Sequence, residues 1–559
     1  MQTVQGMPRA GPIVWLAVAA LLVIVGIPLA FVVLQAIFPK IGQGSLADPF
    51  GSFVASLGDP VILNLTANTL RLGAAVVLAV AVVAIPLGVL RALFRVPLAP
   101  FWDFAFLLPF LIPPYIATLG WILTLQPSGY LAQLAGVHAG PFLFSFSGIV
   151  FVMTFHIFPV VYFAVSRTIA AVGGRYGDVA RVFGASPLRA FFRITLPLAA
   201  PGLAASFLLV FAMTIEEYGT PAALGRQAGF SVLVTGIDTR LADWPIDLPG
   251  AAILSLILVG LSLAAFAIQL RFLSGRSFET TTGKPQAVKP RSLGAFTIPV
   301  VVVFALAAIF GAAVPLLAIF ATALSKTLSG GLSPDNLGLH NFALILADES
   351  GALRALGSSL VLGVATALVA GLIGAAASYG VVKTRFRGKY LLDGLTALPN
   401  AIPGVVVAVG LILAWNQPAL PITPYNTPLI LLLAYCCLLL PYPVRYTNAA
   451  LRQVGENLEA AARVAGATPL VAFRRVLLPL IMPSLVAAML LVFAVASREL
   501  VASLLVAPVG MLTIGSFIWQ QFEQGSVGVG MAMSAIAIAI TMSIPLAVML
   551  TARRLGVAL

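Results

Sequence analysis

Long apolar runs alternate along this chain with short segments that hold most of its arginine and lysine. Crossing a hydrocarbon core takes about 20 apolar residues as a helix, whereas a membrane barrel would alternate over roughly 10 residues at a time. The runs have the helical length. They predict twelve spans, near 13–38, 69–90, 104–125, 148–171, 197–220, 250–273, 295–324, 359–382, 395–415, 428–450, 479–506 and 530–550. An all-α integral membrane protein is therefore expected, with the lipid bilayer as its solvent. The first run, Ile13 to Phe38, follows Arg9, exceeds a signal-peptide core and shows no clear small-residue cleavage site, so it should remain as a span.

The pattern is written twice. Residues 181–202 read RVFGASPLRAFFRITLPLAAPG and residues 463–484 read RVAGATPLVAFRRVLLPLIMPS, identical at 13 of 22 positions across an offset of 282. LLPFLIPP (107–114) resembles ALPNAIPG (397–404) at an offset of 290, and NTLRLG (68–73) resembles SSLVLG (358–363) at the same offset. Such duplication predicts a first repeat over 1–273, a cytoplasmic linker over 274–294 rich in Ser, Thr, Gly, Pro and Lys, and a second repeat over 295–559. With six spans in each, both repeats enter the membrane in the same direction, as two parallel six-helix repeats about an axis along the membrane normal. The prolines of LPFLIPP and LPNAIP are expected to kink spans three and nine, either lining a pathway or only shaping packing.

Composition agrees with the pattern. With 60% hydrophobic and 9% charged residues over 559, and a mean hydropathy of +1.07, too little polar surface exists for a water-soluble body. The net charge of +13 is spread as small clusters between spans, which orients loops toward the cytoplasm and gives no nucleic-acid footprint. The clusters at Arg91 and Arg95, Arg175 to Arg193, Arg271 to Arg291, Lys383 to Lys389, Arg452 to Arg475 and Arg553 with Arg554 place both termini in the cytoplasm. Cys436 and Cys437 are adjacent in an apolar run and offer neither a staple nor zinc spacing.

The duplicated segments, near 173–197 and 455–479, share a grammar. A short helix should end at Gly184 or Gly466, glycine tolerating the left-handed position. After Ala185 or Ala467, Ser186 or Thr468 can cap a second helix whose first turn accepts Pro187 or Pro469. That second helix is expected to end near Pro197 or Pro479, where the next span starts. Leu188, Phe191 and Phe192, and Leu470, Phe473 and Val476, fall on one apolar stripe, which could lie in the lipid interface.

The spacing of Gly184, Ile194, Leu196 and Pro197, and of Gly466, Val476, Leu478 and Pro479, resembles the EAA loop of permease subunits from binding-protein-dependent ABC importers. The resemblance covers nearly the whole chain as two fused permease units. It implies a type I ABC importer-like fold in a bacterial inner membrane, two copies of an ABC ATPase subunit and a periplasmic binding protein. In that family the loop is the coupling helix that docks on the ATPase. The resemblance carries that role onto Asp178, Ala180, Gly184, Ala185, Ser186 and Pro187, and onto Glu459, Ala462, Gly466, Ala467, Thr468 and Pro469. The leading Glu-Ala-Ala aligns with Asp178, Val179 and Ala180, but in the second copy with Ala460, Ala461 and Ala462, Glu459 lying one position early. Unequal coupling of the two halves is therefore expected.

No GxxxxGK[ST] phosphate loop occurs, so ATP and Mg belong to the partner, this chain binds no cofactor, and it is expected not to be an enzyme. Glu216, Glu217, Arg498 and Glu499 are charges at the ends of apolar runs, and Glu217 and Glu499 lie twenty residues beyond Pro197 and Pro479, hence close to the outer face. Two readings stand: acids that receive or gate a cation, or ion pairs and docking points for a binding protein. His156 has no second metal ligand at helical spacing, so a packed or interfacial imidazole is expected there in place of a metal site. EEYGTPAALG (216–225), with Tyr218, is similar to the ferric iron type, while thiamine, polyamine and phosphonate permeases share the architecture. An ion-coupled secondary transporter is the rival class, but duplicated docking helices serve no purpose in it.

Overall fold

The computed structural model describes residues 11–56, 58–274, 290–347, 351–417 and 420–554. Most of the expected linker, 275–289, lies outside them. Among the described residues, eight helices are long and apolar enough to cross a membrane, or up to eleven when each of three helix pairs bent by 99°, 119° and 46° counts as one span. The last helix, Val527–Arg554, falls at the twelfth expected span. Apolar side chains such as Leu16, Leu78, Val82 and Val361 stay exposed on these helices, a surface that suits lipid and would be a liability in water.

Two bends fall where prolines were expected to act. The residue before a proline is pushed to extended backbone. Ile112 (φ −91°, ψ 130°) and Ile402 (φ −118°, ψ 118°) obey, and the chain turns by 99° and 119° between Ala99–Leu111 and Pro114–Ala135, and between Lys389–Ala401 and Gly404–Trp415.

Other prolines are absorbed instead. Proline has no N–H, and its ring clashes with the carbonyl four residues back. Four five-residue π-turns, Leu22–Gly26, Phe191–Thr195, Ile309–Ala313 and Phe473–Leu477, each end two residues before a proline: Pro28, Pro197, Pro315 and Pro479. In each, the residue before the proline donates five residues back, Leu196 to the Phe191 carbonyl for example, so the widened turn carries the helix through. This corrects the expectation that the second elbow helix ends near Pro197 or Pro479. It continues instead, to Glu216 in one copy and Ala496 in the other.

The chain packs as two units: residues 1–58, 237–259 and 339–559 in one, 59–236 and 260–338 in the other. Each unit thus takes its first apolar helix from the other sequence half. In one, Gly410 meets Pro28, and a Cβ on the glycine would stand 2.8 Å from the Pro28 carbonyl oxygen. In the other, Gly120 meets Pro315, whose carbonyl oxygen would lie 2.6 Å from such a Cβ. That second unit has an aromatic core in which Phe106, Phe158, Tyr162 and Phe304 stack edge and face.

Gly120→Val should lower the stability of the purified chain by about 1–3 kcal/mol, the cost of overpacking, whereas Gly260→Val, with nothing within 4 Å of its Cβ, should be near neutral. Thermal unfolding in detergent measures both.

Candidate functional site

Both elbows fold as their sequences require. Gly184 and Gly466 sit at φ +85° and +86°, the left-handed region. The Ala467 N–H reaches the Ala462 carbonyl at 3.0 Å, closing the preceding helix around Gly466. Ser186 Oγ accepts from the Arg189 N–H at 3.3 Å and Thr468 Oγ1 from the Val471 N–H at 3.4 Å, at the start of the helices that open with Pro187 and Pro469. Ala185 and Ala467 are half-buried. The side chains of Asp178, Ala180, Pro187, Glu459 and Pro469 lie outside the described part, as does that of Leu188.

The expected apolar stripe is only partly exposed. Phe473 is buried against Tyr379, with ring centroids 4.8 Å apart, while Phe192 is exposed. What the elbows present outward is the residue two before the glycine: Val182 is 84% and Val464 90% exposed, with Phe183 at 85% beside the first. Apolar side chains at an arginine-rich tip are an unusual surface for a loop unless something covers them.

The copies differ in how they are mounted. The first elbow's leading helix is the end of Phe146–Val182, continuous with a span. The second is interrupted: Pro441–Gln453 stops, and Glu456–Val464 starts afresh. At the interruption the buried Lys383 ammonium donates to the Val454 carbonyl at 2.9 Å.

From each elbow a helix runs without a break, through its π-turn, to the polar positions at the far end. Pro187 to Glu216 and Pro469 to Ala496 make rods of about 40 Å at 1.5 Å per residue. Spans five and eleven stop short of the expected 220 and 506, because the backbone breaks at Glu217 and Tyr218, and again over Ser497 to Leu500. Short helices, Gly219–Ala228 and Val501–Val506, follow. The Glu217 carboxylate accepts the Thr220 N–H at 3.0 Å. The Glu499 carboxylate accepts those of Val501, Ala502 and Ser503 at 3.0–3.3 Å. Both acids therefore cap short helices, satisfying N–H groups that burial would otherwise leave costly. Glu216 is the last residue of its rod, Tyr218 is buried, and Arg498 stands half-buried next to the capping acid.

Hydroxyl pairs tie the short helices down, Thr118 to Thr220 at 2.8 Å and Tyr435 to Ser503 at 2.6 Å. The NTLRLG and SSLVLG motifs acquire a role that sequence reading missed. Thr69 Oγ1 accepts from the Leu233 N–H at 2.9 Å, and Ser359 Oγ from the Ile514 N–H at 2.7 Å, at the starts of equivalent helices.

The same design in both repeats finds its counterpart among known proteins. The sequence model of the binding-protein-dependent transport system inner membrane components matches residues 82–276 and again 367–556, together more than half the chain. This chain belongs to that family. Its permease relatives include the ferric transport system permease protein FbpB of Actinobacillus pleuropneumoniae, 27% identical over 435 residues, which are 76% of this chain and 61% of that protein. The Fe(3+)-transport system permease protein FbpB 2 of Haemophilus influenzae is 25% identical over 523 residues, 92% of this chain and 93% of that one. The trehalose transport system permease protein SugB of Mycobacterium tuberculosis is 33% identical over 233 residues, 39% of this chain and 82% of its own length. Membership makes the chain a multi-pass inner-membrane permease subunit, and the resemblance first seen in the two glycine elbows extends across both repeats.

Glu217→Ala and Glu499→Ala should each destabilise the short helix they cap by about 0.5–2 kcal/mol. Faster amide exchange over 219–228 or 501–506, with Gln variants closer to wild type, is the expected reading.

Proposed function

We propose that this chain is the transmembrane permease of an ATP-driven importer, moving ferric iron delivered by a periplasmic binding protein into the cytoplasm. Two copies of an ATPase subunit, carrying ATP and Mg, dock on the elbows. The elbows and both termini then face the cytoplasm, as the basic clusters suggest. The carrying observation is the uninterrupted rod in each repeat, from an elbow with exposed apolar tips to a capped break at the opposite end. Movement of an elbow by the partner would pull on a stiff helix, and the short capped segment beyond the rod would shift with it. Hydrolysis itself stays with the partner.

Iron as cargo is supported by the ferric relatives, one of which matches nearly end to end. A second cargo within the same class draws support from the trehalose relative, whose identity to this chain is higher over a shorter stretch. Ligand analysis of the cognate binding protein separates them: bound ferric ion by metal analysis supports the first, a bound organic solute by mass spectrometry the second.

The different mounting of the two elbows supports unequal coupling. In the reconstituted complex, Gly184→Asp should cut transport-linked ATPase activity by about tenfold, because it strains the elbow fused to its span and disturbs the copy that retains Asp178. Gly466→Asp should cut it less. Equal losses would remove the asymmetry, and an unchanged rate in both would remove the coupling role.

A further inference from the structure

In the unit built from 59–236 and 260–338, a cavity of about 490 Å³ opens where three helices meet the end of their spans. Pro60–Leu93 finishes there, Ala99–Leu111 begins, and Phe146–Val182 reaches the end of its membrane-spanning part. Arg91, Asp103, Phe163, Ser166, Arg167 and Pro290 line it. One guanidinium is locked in place: Arg91 Nε and Nη2 reach Asp103 at 2.7–3.1 Å, and the Tyr162 hydroxyl donates to Asp103 Oδ1 at 2.7 Å.

The lock leaves capacity over. A guanidinium carries five N–H donors and cannot be deprotonated in proteins. The Asp103 fork uses two, and Asp103, the one acid lining the cavity among the described residues, has both oxygens engaged. Arg167 is exposed and brings a second charge to the same wall, with no ion pair among the described residues. The rim adds Arg95, whose Nε donates to the Pro290 carbonyl at 3.1 Å, and the exposed Arg291, paired backbone to backbone with 93–95. The cavity is thus positive, part-polar and held rigid, at the level of the membrane boundary. In the other unit the buried Lys383 spends its charge on the Val454 carbonyl.

We propose that this cavity binds a phosphate group, either the headgroup of an anionic lipid or a free phosphate anion, and does so on this unit alone. A planar fork fixed by a carboxylate and a second mobile arginine are the donors that phosphate recognition uses. Basic pockets at the ends of membrane helices favour anionic headgroups.

The test uses the full chain, purified and delipidated, with native mass spectrometry and thermal unfolding as readouts. Phosphatidylglycerol should bind saturably and raise the unfolding temperature, while phosphatidylcholine should not. Arg167→Gln, at an exposed position, should weaken phosphatidylglycerol binding by about fivefold. Arg354→Gln, in the other unit, should leave it unchanged. Competition by inorganic phosphate would identify a free-anion site, and its failure to compete would identify the lipid as the ligand. Equal binding of the two lipids, with no protection by inorganic phosphate, would overturn the proposal. So would Arg167→Gln and Arg354→Gln behaving alike. Arg91→Gln serves as a second variant, read by the Arg167→Gln result if loss of the Asp103 pair unfolds it.

Discussion

Inside hydrocarbon no water is available to a backbone N–H or carbonyl, so every departure from a regular helix must carry its own replacement partner. That constraint shapes the irregular features within the described spans. Where proline interrupts the ladder, the helix widens for one turn and donates five residues back. Where the helix stops altogether, an acid supplies the acceptor: Glu217 for one short helix, Glu499 for the other. Charges that look extravagant among apolar neighbours are, in part, the replacement for lost backbone bonds.

The two solutions have opposite mechanical effects. A π-turn preserves the helix and lets Pro187–Glu216 and Pro469–Ala496 act as single levers. A break with an acid cap makes a joint. Each repeat therefore sets a stiff element between two joints, a left-handed glycine at one end and a capped break at the other. The proposed coupling of one membrane face to the other would use such parts, and the duplication supplies them twice. The pair is not symmetric in detail, since one elbow grows directly out of a span while the other hangs from an interruption held by Lys383.

Much of this was legible in the sequence. Apolar runs gave the positions of most spans, and glycine, hydroxyl and proline in fixed order gave the elbows, because each residue type there answers a local backbone demand. Proline was legible only as a disturbance. A proline bends one span by 99°, around Ile112, and is absorbed in another, at Pro197, and its presence alone does not tell the two apart. Glu217 and Glu499 were visible as unusual charges, yet their capping role was missed. An acid followed within three or four residues by N–H groups of a new helix was the available signal, hidden because the apolar run had been read as one span. Thr69 and Ser359 were quoted within a repeated motif, but their partners lie 164 and 155 residues away and no local pattern announces them.

The exchange of first helices carries a topological consequence. Gly120 closes on Pro315 and Gly410 on Pro28, so neither sequence half contains all the strands of chain needed to finish one packed body. Severing the connection between the halves would leave two polypeptides that are each incomplete alone and interlocked when together. The fusion guarantees equal dosage and synthesis in one order, so the helix pair Pro12–Ile37 is made before most of the body into which it packs.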